Sequence, residues 1–283
     1  MSLIKKLLLA TSLSLSLTSC SVKMSYQFLD EALGWQLGRY VDLDRDQNKL
    51  AKQFIDDFHL WHRHTQLPLY ADYLDQLKVG LNDQVVTAKY LHDESNVMQD
   101  LLDQSMMKLL PEITEIANSL NDKQVEEVVE RLTKERKEYK EDYIDASRSE
   151  LKKRRLRDMK RYFDPFFGRF TKTQKKLFDD WEAQLEPYEE LMPVQQLNWQ
   201  KDFLHAMTFR GQPEKLQAEL KQLMLYRTDN WDSELQRRLD YNQDITFEML
   251  AKLFNSRNEK QKARLAKKFD QYAEDLRELA KDS

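Results

Sequence analysis

Cysteine, glycine and proline are all scarce in this chain of 283 residues, which contains one cysteine, 5 glycines and 6 prolines. A single thiol excludes an internal disulfide, and so few glycines exclude the glycine-rich loops that cradle phosphate groups. The chain also lacks a Gly-x-Ser-x-Gly sequence, the signature of a serine nucleophile on a tight turn. Its formal net charge of -4 does not favour nucleic-acid binding, because proteins of that class are normally basic.

Alternating runs of β-branched residues, which indicate strands, are missing as well. Charged residues make up 33% of the chain, and unbranched side chains that favour helices are abundant. Apolar residues recur at intervals of three and four, as at Leu50, Phe54 and Phe58, which is the spacing of a buried helix face. The sequence therefore predicts an all-α fold, an elongated multi-helix bundle of about eight to eleven helices with an N-terminal signal peptide.

Prolines and long uninterrupted stretches predict where the helices end. Pro68 should end or sharply kink a helix that begins near Asp44. The interval 121–163 contains no glycine or proline, so we predict one long helix there. Further helices are predicted over 72–81, 82–92 and 94–110, the last of them ended by Pro111.

Four predicted helix starts share one pattern, in which a residue suited to the N-cap precedes a glutamine by three positions. The cap side chain can accept from the glutamine backbone N–H, while the glutamine side chain reaches back to the cap residue. The four pairs are Asp44 with Gln47, Asn121 with Gln124, Thr171 with Gln174, and Asn258 with Gln261. Unequal intervals between the glutamines argue against a solenoid, so we interpret them as helix starts and not as repeats of a functional unit. Arg257 stands where the other starts have Leu or Phe, and we expect the last helix to be less firmly seated.

The first residues have the pattern of a bacterial signal sequence that ends at Cys20. Two lysines precede an apolar stretch over 7–17, which is too short to span a bilayer of about 30 Å. The sequence Leu17-Thr18-Ser19-Cys20 resembles the lipobox of bacterial lipoproteins, which implies that residues 1–19 are removed and that Cys20 carries acyl chains such as palmitate. Two or three such chains make a stable anchor. An ordinary secretory signal with an incidental cysteine is the alternative.

The residue after Cys20 bears on where such a lipoprotein is sorted. Lipoproteins retained in the inner membrane typically carry aspartate there, whereas this chain has Ser21. The resemblance therefore implies a protein lipid-anchored in the outer membrane and facing the periplasm. We predict that residues 20–25 form a lipidated tether and residues 26–283 a single all-helical domain.

A wider resemblance rests on groups of residues spread along the chain. They are Tyr26, Phe28-Leu29-Asp30 and Trp35; Trp61-His62-Arg63, Leu67-Pro68 and Tyr70; Arg154 to Arg157 with Gly168-Arg169-Phe170; and the four glutamine-bearing helix starts. With them the chain resembles an uncharacterised family of bacterial lipoproteins, a domain of unknown function. That resemblance implies an all-helical, envelope-anchored protein without an established activity. A weaker likeness, carried by the residues 170–174, is to small periplasmic chaperones built around Leu-Thr-x-x-Gln motifs.

Two Asp-x-x-His sequences are the only candidates for a metal site. They supply Asp56, His59 and His62 in one helix and Asp202 with His205 in another. Helical bundles that bind two metal ions use Glu-x-x-His on two helices, and that sequence does not occur here. We therefore predict no metal site and no cofactor, and we expect His59 and His62 to pack beside Trp61 and to hydrogen-bond locally.

The densest charge feature is a basic cluster that offers a docking surface for an anionic partner. Its residues are Lys152, Lys153, Arg154, Arg155, Arg157, Lys160 and Arg161. An envelope protein, a polysaccharide or lipid headgroups would fit, whereas nucleic acid would not in the periplasm. The alternative is a solvated helix face, partly neutralised by the acidic stretch 126–142.

Together these patterns favour a non-catalytic binding or scaffold lipoprotein of the cell envelope, because an anchor, helices and charge are present without a catalytic constellation. A periplasmic chaperone-like or envelope-stress protein is the first alternative. A metal-dependent or hydrolytic enzyme is the second, and we do not predict an enzyme.

Overall fold

The computed structural model describes residues 21–225 and 231–281, and all the regular elements in these two ranges are helical. In chain order the helices are α1 (Ser21–Gln27), α2 (Leu29–Gly38), α3 (Arg45–Trp61), α4 (Leu67–Asp83), α5 (Ala88–Ser119), α6 (Asp122–Tyr139), α7 (Arg148–Phe167), α8 (Lys172–Gln184), α9 (Met192–Met207), α10 (Pro213–Met224), α11 (Ser233–Asn255) and α12 (Glu259–Leu279). Two π-helical turns, His62–Gln66 and Lys140–Ile144, follow α3 and α6. The predicted all-α multi-helix bundle is confirmed.

The predicted signal peptide, residues 1–19, and the predicted lipidation site Cys20 lie outside the described residues. Residues 21–25 of the predicted tether belong to α1. Among the described helices, none is both long enough and apolar enough to cross a membrane.

Two predicted helix boundaries are wrong around Pro111. The interval 82–110 does not hold two helices, because α4 continues to Asp83 and α5 then runs through Pro111 to Ser119. Proline removes one backbone hydrogen bond from a helix, but Leu110 and Ala117 on either side of it are buried in one core. That packing holds the two turns together and overrides the local preference of the sequence.

The predicted single helix over 121–163 is also wrong. The chain leaves α6 through the π-helical turn Lys140–Ile144, and a new helix, α7, begins after Ser147. Glu150 accepts a hydrogen bond of 2.9 Å from the backbone N–H of Ser147, and the Ser147 side chain accepts from Glu150 N in return. This is a fifth capping box, and glutamate takes the place that glutamine has in the other four.

The interruption predicted near Pro68 takes the form of the first π-helical turn. The chain stays helical from α3 through His62–Gln66 into α4. Pro68 then lies in the first turn of α4, directly after the π-helical turn.

The four glutamines of the helix starts meet in two reciprocal pairs. In the first joint, which we define by Gln47 and Gln124, the Nε2 of each residue donates to the Oε1 of the other, over 3.1 and 2.6 Å. Each Oε1 also accepts from the backbone N–H of its own cap residue, Asp44 or Asn121, over 3.0 Å. The starts of α3 and α6 are thereby fixed side by side.

The second joint, Gln174 with Gln261, repeats this arrangement at the starts of α8 and α12. The reciprocal amide bonds measure 2.9 and 3.0 Å. In both joints the remaining amide proton of each glutamine goes to a backbone carbonyl two residues before an N-cap. The four acceptors are Asp42, Ser119, Arg169 and Ser256. The chain therefore builds the same hydrogen-bonded joint twice.

Each joint lies against a hydrophobic core, and each core draws on distant parts of the sequence. Core A surrounds the first joint with residues such as Leu43 and Val125, and it is completed by Phe203 of α9 and Leu216 of α10. Core B surrounds the second joint with Phe170, Phe178, Leu253 and Leu265, and it also takes up Leu81 of α4 and Leu91 of α5. We call the two cores interlocked, because the segments that form them alternate along the chain.

Arg257 holds the last helix firmly, contrary to the expectation from the sequence. Its side chain is buried and donates to the backbone carbonyls of Phe254 and Leu81 and to Asn82 Oδ1, the last over 3.0 Å. Burial lowers the pKa of Arg257 to about 10, which leaves it charged at neutral pH. The guanidinium thus links the end of α4 to the turn before α12.

We predict that Gln174→Ala lowers the free energy of unfolding by about 3 kcal/mol, because several buried polar partners of a fully buried amide lose their hydrogen bonds. Chemical denaturation measures this. In a double-mutant cycle, Gln174→Ala combined with Gln261→Ala should cost less than the sum of the single substitutions.

The matched control for that experiment is Gln184→Ala on the same helix. Gln184 is exposed, and its amide donates only to the Asp180 carbonyl. This variant should change stability by less than about 0.5 kcal/mol. Equal losses for the Gln174 and Gln184 variants would contradict a structural role of the joint.

Candidate functional site

The predicted basic cluster lies on α7, and part of it serves to fasten that helix to its neighbours. Arg155 donates to Glu182 over 3.2 Å and to Glu189, two carboxylates that are buried. Lys152 lies 3.2 Å from the same Glu182. Because both cations pair with buried carboxylates, Lys152 and Arg155 have a structural role and present little unpaired charge.

Arg154 is also engaged, on the other side of α7. It donates to the Asp142 carbonyl over 3.0 Å, and its guanidinium lies 5.0 Å from the centre of the Tyr143 ring. The predicted neutralisation by the stretch 126–142 thus involves Asp142. Arg155 instead pairs with Glu182 and Glu189, which lie outside that stretch. These two partners were not predicted from the sequence.

The rest of the cluster forms a cationic row, which we define as Lys153, Arg157 and Arg161. These three side chains are exposed and four residues apart, so they lie along one face of α7 over about 12 Å. Asp158 contacts two of them, over 3.2 Å to Arg157 and 3.6 Å to Arg161. Lys153 has no ion pair with a described residue, so the row keeps a net positive charge.

A shallow cavity of about 330 Å³ lies at the end of this row. It is lined by Lys160, Arg161, Asp164, Pro165 and Phe170. A second cavity of about 400 Å³, with mixed charges, lies between α6 and the segment 38–42. The cavity on α7 therefore extends the cationic surface, with Lys160 as a fourth positive charge.

The histidines of the first Asp-x-x-His sequence belong to an aromatic cluster. The hydroxyl of Tyr26 in α1 lies 3.0 Å from Nδ1 of His62. The ring of His62 also packs against Phe58 and Tyr70, each with 5.5 Å between ring centres. The ring centres of Tyr26 and His59 lie 4.8 Å apart. The cluster seats α1 on the end of α3.

Burial in this cluster favours the neutral imidazoles. It lowers the pKa of His62 to about 4, with a further contribution from the neighbouring His59. Burial, followed by the charge of Arg63, also lowers the pKa of His59. Burial also favours the neutral form of the Tyr26 phenol, because it raises the pKa of that group. All three side chains are therefore uncharged at neutral pH.

The remaining metal candidates lie apart from these histidines. Asp56 is exposed on α3, and Asp202 and His205 are exposed on α9, where the His205 ring packs against Phe209. Within 21–225 and 231–281, no three His, Cys, Asp or Glu side chains are grouped so that they could hold a metal ion. The structure thus does not bring the two Asp-x-x-His sequences together.

Comparison with known proteins adds one match. A family described as a family of unknown function, DUF6279, matches residues 39–236, well over half of the chain. The chain belongs to this family. Its matched region includes the first joint and the cationic row, whereas α1 and α2 lie outside it. No curated protein and no solved structure matches the chain.

We predict that stability falls as the pH is lowered from about 6.5 to about 4. In the unfolded chain His62 binds a proton near pH 6.5, whereas in the folded chain it does so only near pH 4. The lost stability amounts to at most about 3 kcal/mol. Denaturation at a series of pH values measures it.

Replacing the imidazole tests its part in this dependence. His62→Phe should reduce the slope of stability against pH, because it removes the imidazole whose pKa burial lowers. His205→Gln, which changes an exposed histidine, is the control and should keep the slope of the natural chain. Identical slopes for all three proteins would contradict the assignment to His62.

Proposed function

We propose that the protein is a lipoprotein of the bacterial outer membrane that acts in the periplasm as a non-catalytic binding or scaffold protein. The observation that carries the binding role is the cationic row on α7, with three exposed charges at one-turn spacing. The pattern that ends at Cys20 supports the anchor.

The charge of the row indicates an acidic partner. Positive charges aligned along one helix face attract a negative surface and set its orientation, even where each ion pair contributes little affinity. A length of about 12 Å fits a short acidic segment. We therefore propose an acidic segment of another envelope protein as the partner.

The fastening of α7 explains why the row can serve as a rigid surface. Arg155 ties one side of the helix to Glu182 and Glu189, while Arg154 ties another side to Asp142. Lys153, Arg157 and Arg161 are left outside these contacts. A surface held in this way loses little conformational freedom when a partner binds.

A chaperone-like function is the second candidate, and one feature of α9 favours it. Val194, Leu197 and Leu204 are exposed and recur at helical spacing, which leaves an apolar stripe on the outer face of that helix. The glutamine-bearing helix starts no longer support this candidate, because all four glutamines are buried in the two joints.

The anchor is tested by metabolic labelling with a palmitate analogue in cells that express the full chain. We expect label on the natural protein and recovery in the outer-membrane fraction. Cys20→Ser should lose the label and leave that fraction, because Cys20 is the only thiol in the chain. A natural protein that takes up no label would contradict the anchor.

The binding role is tested by crosslinking in cells, followed by identification of the crosslinked proteins. We compare the natural chain with the triple charge reversal Lys153→Glu, Arg157→Glu and Arg161→Glu. Loss of the row should reduce the yield of its acidic partner by about tenfold. Arg154 and Arg155 are left unchanged because their reversal would disturb the fold.

The matched control reverses three exposed lysines on α8 and α12, namely Lys175→Glu, Lys260→Glu and Lys267→Glu. The change in net charge is the same, but the row remains. Partners should be retained in this control. If the row variant keeps all partners of the natural chain, the docking surface on α7 is refuted. Loss of partners only when Val194, Leu197 and Leu204 are changed to serine would favour the chaperone-like function.

A further inference from the structure

The second helix, α2, carries large apolar side chains on its outer face as well as on its inner face. Leu29 and Leu37 face the body of the protein, the first buried and the second packed against core A. On the outside, Trp35 is 67% exposed and Phe28, at the start of the helix, is 52% exposed. A helix on the surface of a globular protein normally presents polar residues to water.

Met24 of α1 extends this outer surface toward Cys20. It is 60% exposed and lies four residues before Phe28, which in turn lies seven residues before Trp35. Seven residues is an interval of one helix face, and Phe28 is the N-cap of α2, where its carbonyl accepts the first hydrogen bond of that helix from Ala32 N. Met24 belongs to the last turn of α1, directly before this junction. We call Met24, Phe28 and Trp35 the apolar ridge.

Polar contacts on the inner side hold the ridge in place. Lys23 pairs with Asp275 over 3.7 Å and with Glu278, while Tyr26 contacts His62. Further along, a side chain at Gly34 would lie 4.0 Å from Ile55 of α3, so α2 approaches α3 closely there. The ridge is therefore a fixed feature of the fold that points outward.

The chemistry of the ridge matches the boundary between lipid headgroups and acyl chains. Tryptophan is enriched in that layer because its ring is apolar and its N–H is polar. The guanidinium of Arg39 lies 5.0 Å from the centre of the Trp35 ring, which places a positive charge beside it for anionic headgroups. Glu31 is the exposed acidic residue between Phe28 and Trp35.

We propose that the apolar ridge inserts into the interfacial layer of the bilayer to which Cys20 is attached. This inference rests on the proposed anchor. Met24 lies only four residues after Cys20, a stretch that spans at most about 14 Å when fully extended, so an acylated Cys20 would hold the ridge near the membrane surface. The acyl chains and the ridge would then be two separate contacts, which together fix the orientation of the protein on the membrane.

The test uses the full, lipidated chain reconstituted into vesicles of phosphatidylethanolamine and phosphatidylglycerol, with bromine on the acyl chains as a quencher of tryptophan fluorescence. Trp35→Phe keeps the ridge apolar and removes only its fluorophore. Since Trp35 is one of five tryptophans, we expect bromine to quench about one fifth of the natural emission and to leave the Trp35→Phe emission nearly unchanged. Trp181→Phe, a change in core B, is the matched control and should retain the quenching.

Palmitate labelling of the same preparation separates the two proposals. A protein without label contradicts the anchor, whatever the fluorescence shows. If the protein carries the label but bromine quenches the natural and Trp35→Phe forms equally, the insertion of the ridge is refuted and the anchor is not. Quenching that disappears with Trp35→Phe in a labelled protein supports the interfacial insertion.

Discussion

The paired amides of the capping-box glutamines are the constraint on which the rest of the structure depends. A glutamine side chain has two donor protons and two acceptor positions, and each of the four glutamines uses all of them within its joint. A buried amide that is fully satisfied costs little, whereas one with a missing partner is expensive. The joints therefore fix the starts of α3, α6, α8 and α12, and the cores form around them.

The position of the cationic row follows from this framework. Core B takes Phe163 and Phe167 from α7, which sets the buried side of that helix. Arg155 then pairs with Glu182 and Glu189, so its charge is directed inward. Lys153, Arg157 and Arg161 are left on a solvated face of the helix. A run of basic residues in the sequence is thus divided by the fold into charges that hold the helix and charges that remain available.

Local signals in the sequence were sufficient for the fold class and for the four glutamine-bearing helix starts. The boxes at Gln47, Gln124, Gln174 and Gln261 were predicted with their correct hydrogen bonds, because a capping box involves only residues three apart. Their pairing was not predictable, since it joins residues 77 and 87 positions apart. The same limit applies to Pro111, which core A keeps helical, and to Glu182, whose partner is on another helix. The box at Ser147 was present in the sequence and was missed, because the absence of glycine and proline over 121–163 predicted one uninterrupted helix.

The interlocking of the cores bears on the order in which the chain can fold. Core A begins with Val41 and is completed only by Met224, and core B needs residues from Leu81 to Phe269. Neither half of the sequence contains a whole core, so neither half can acquire its final packing before most of the chain is present. Contacts of such long sequence separation form slowly, since a long loop must close before they are made. A chain that crosses a membrane in extended form would thus acquire its final packing only near the end of its transit.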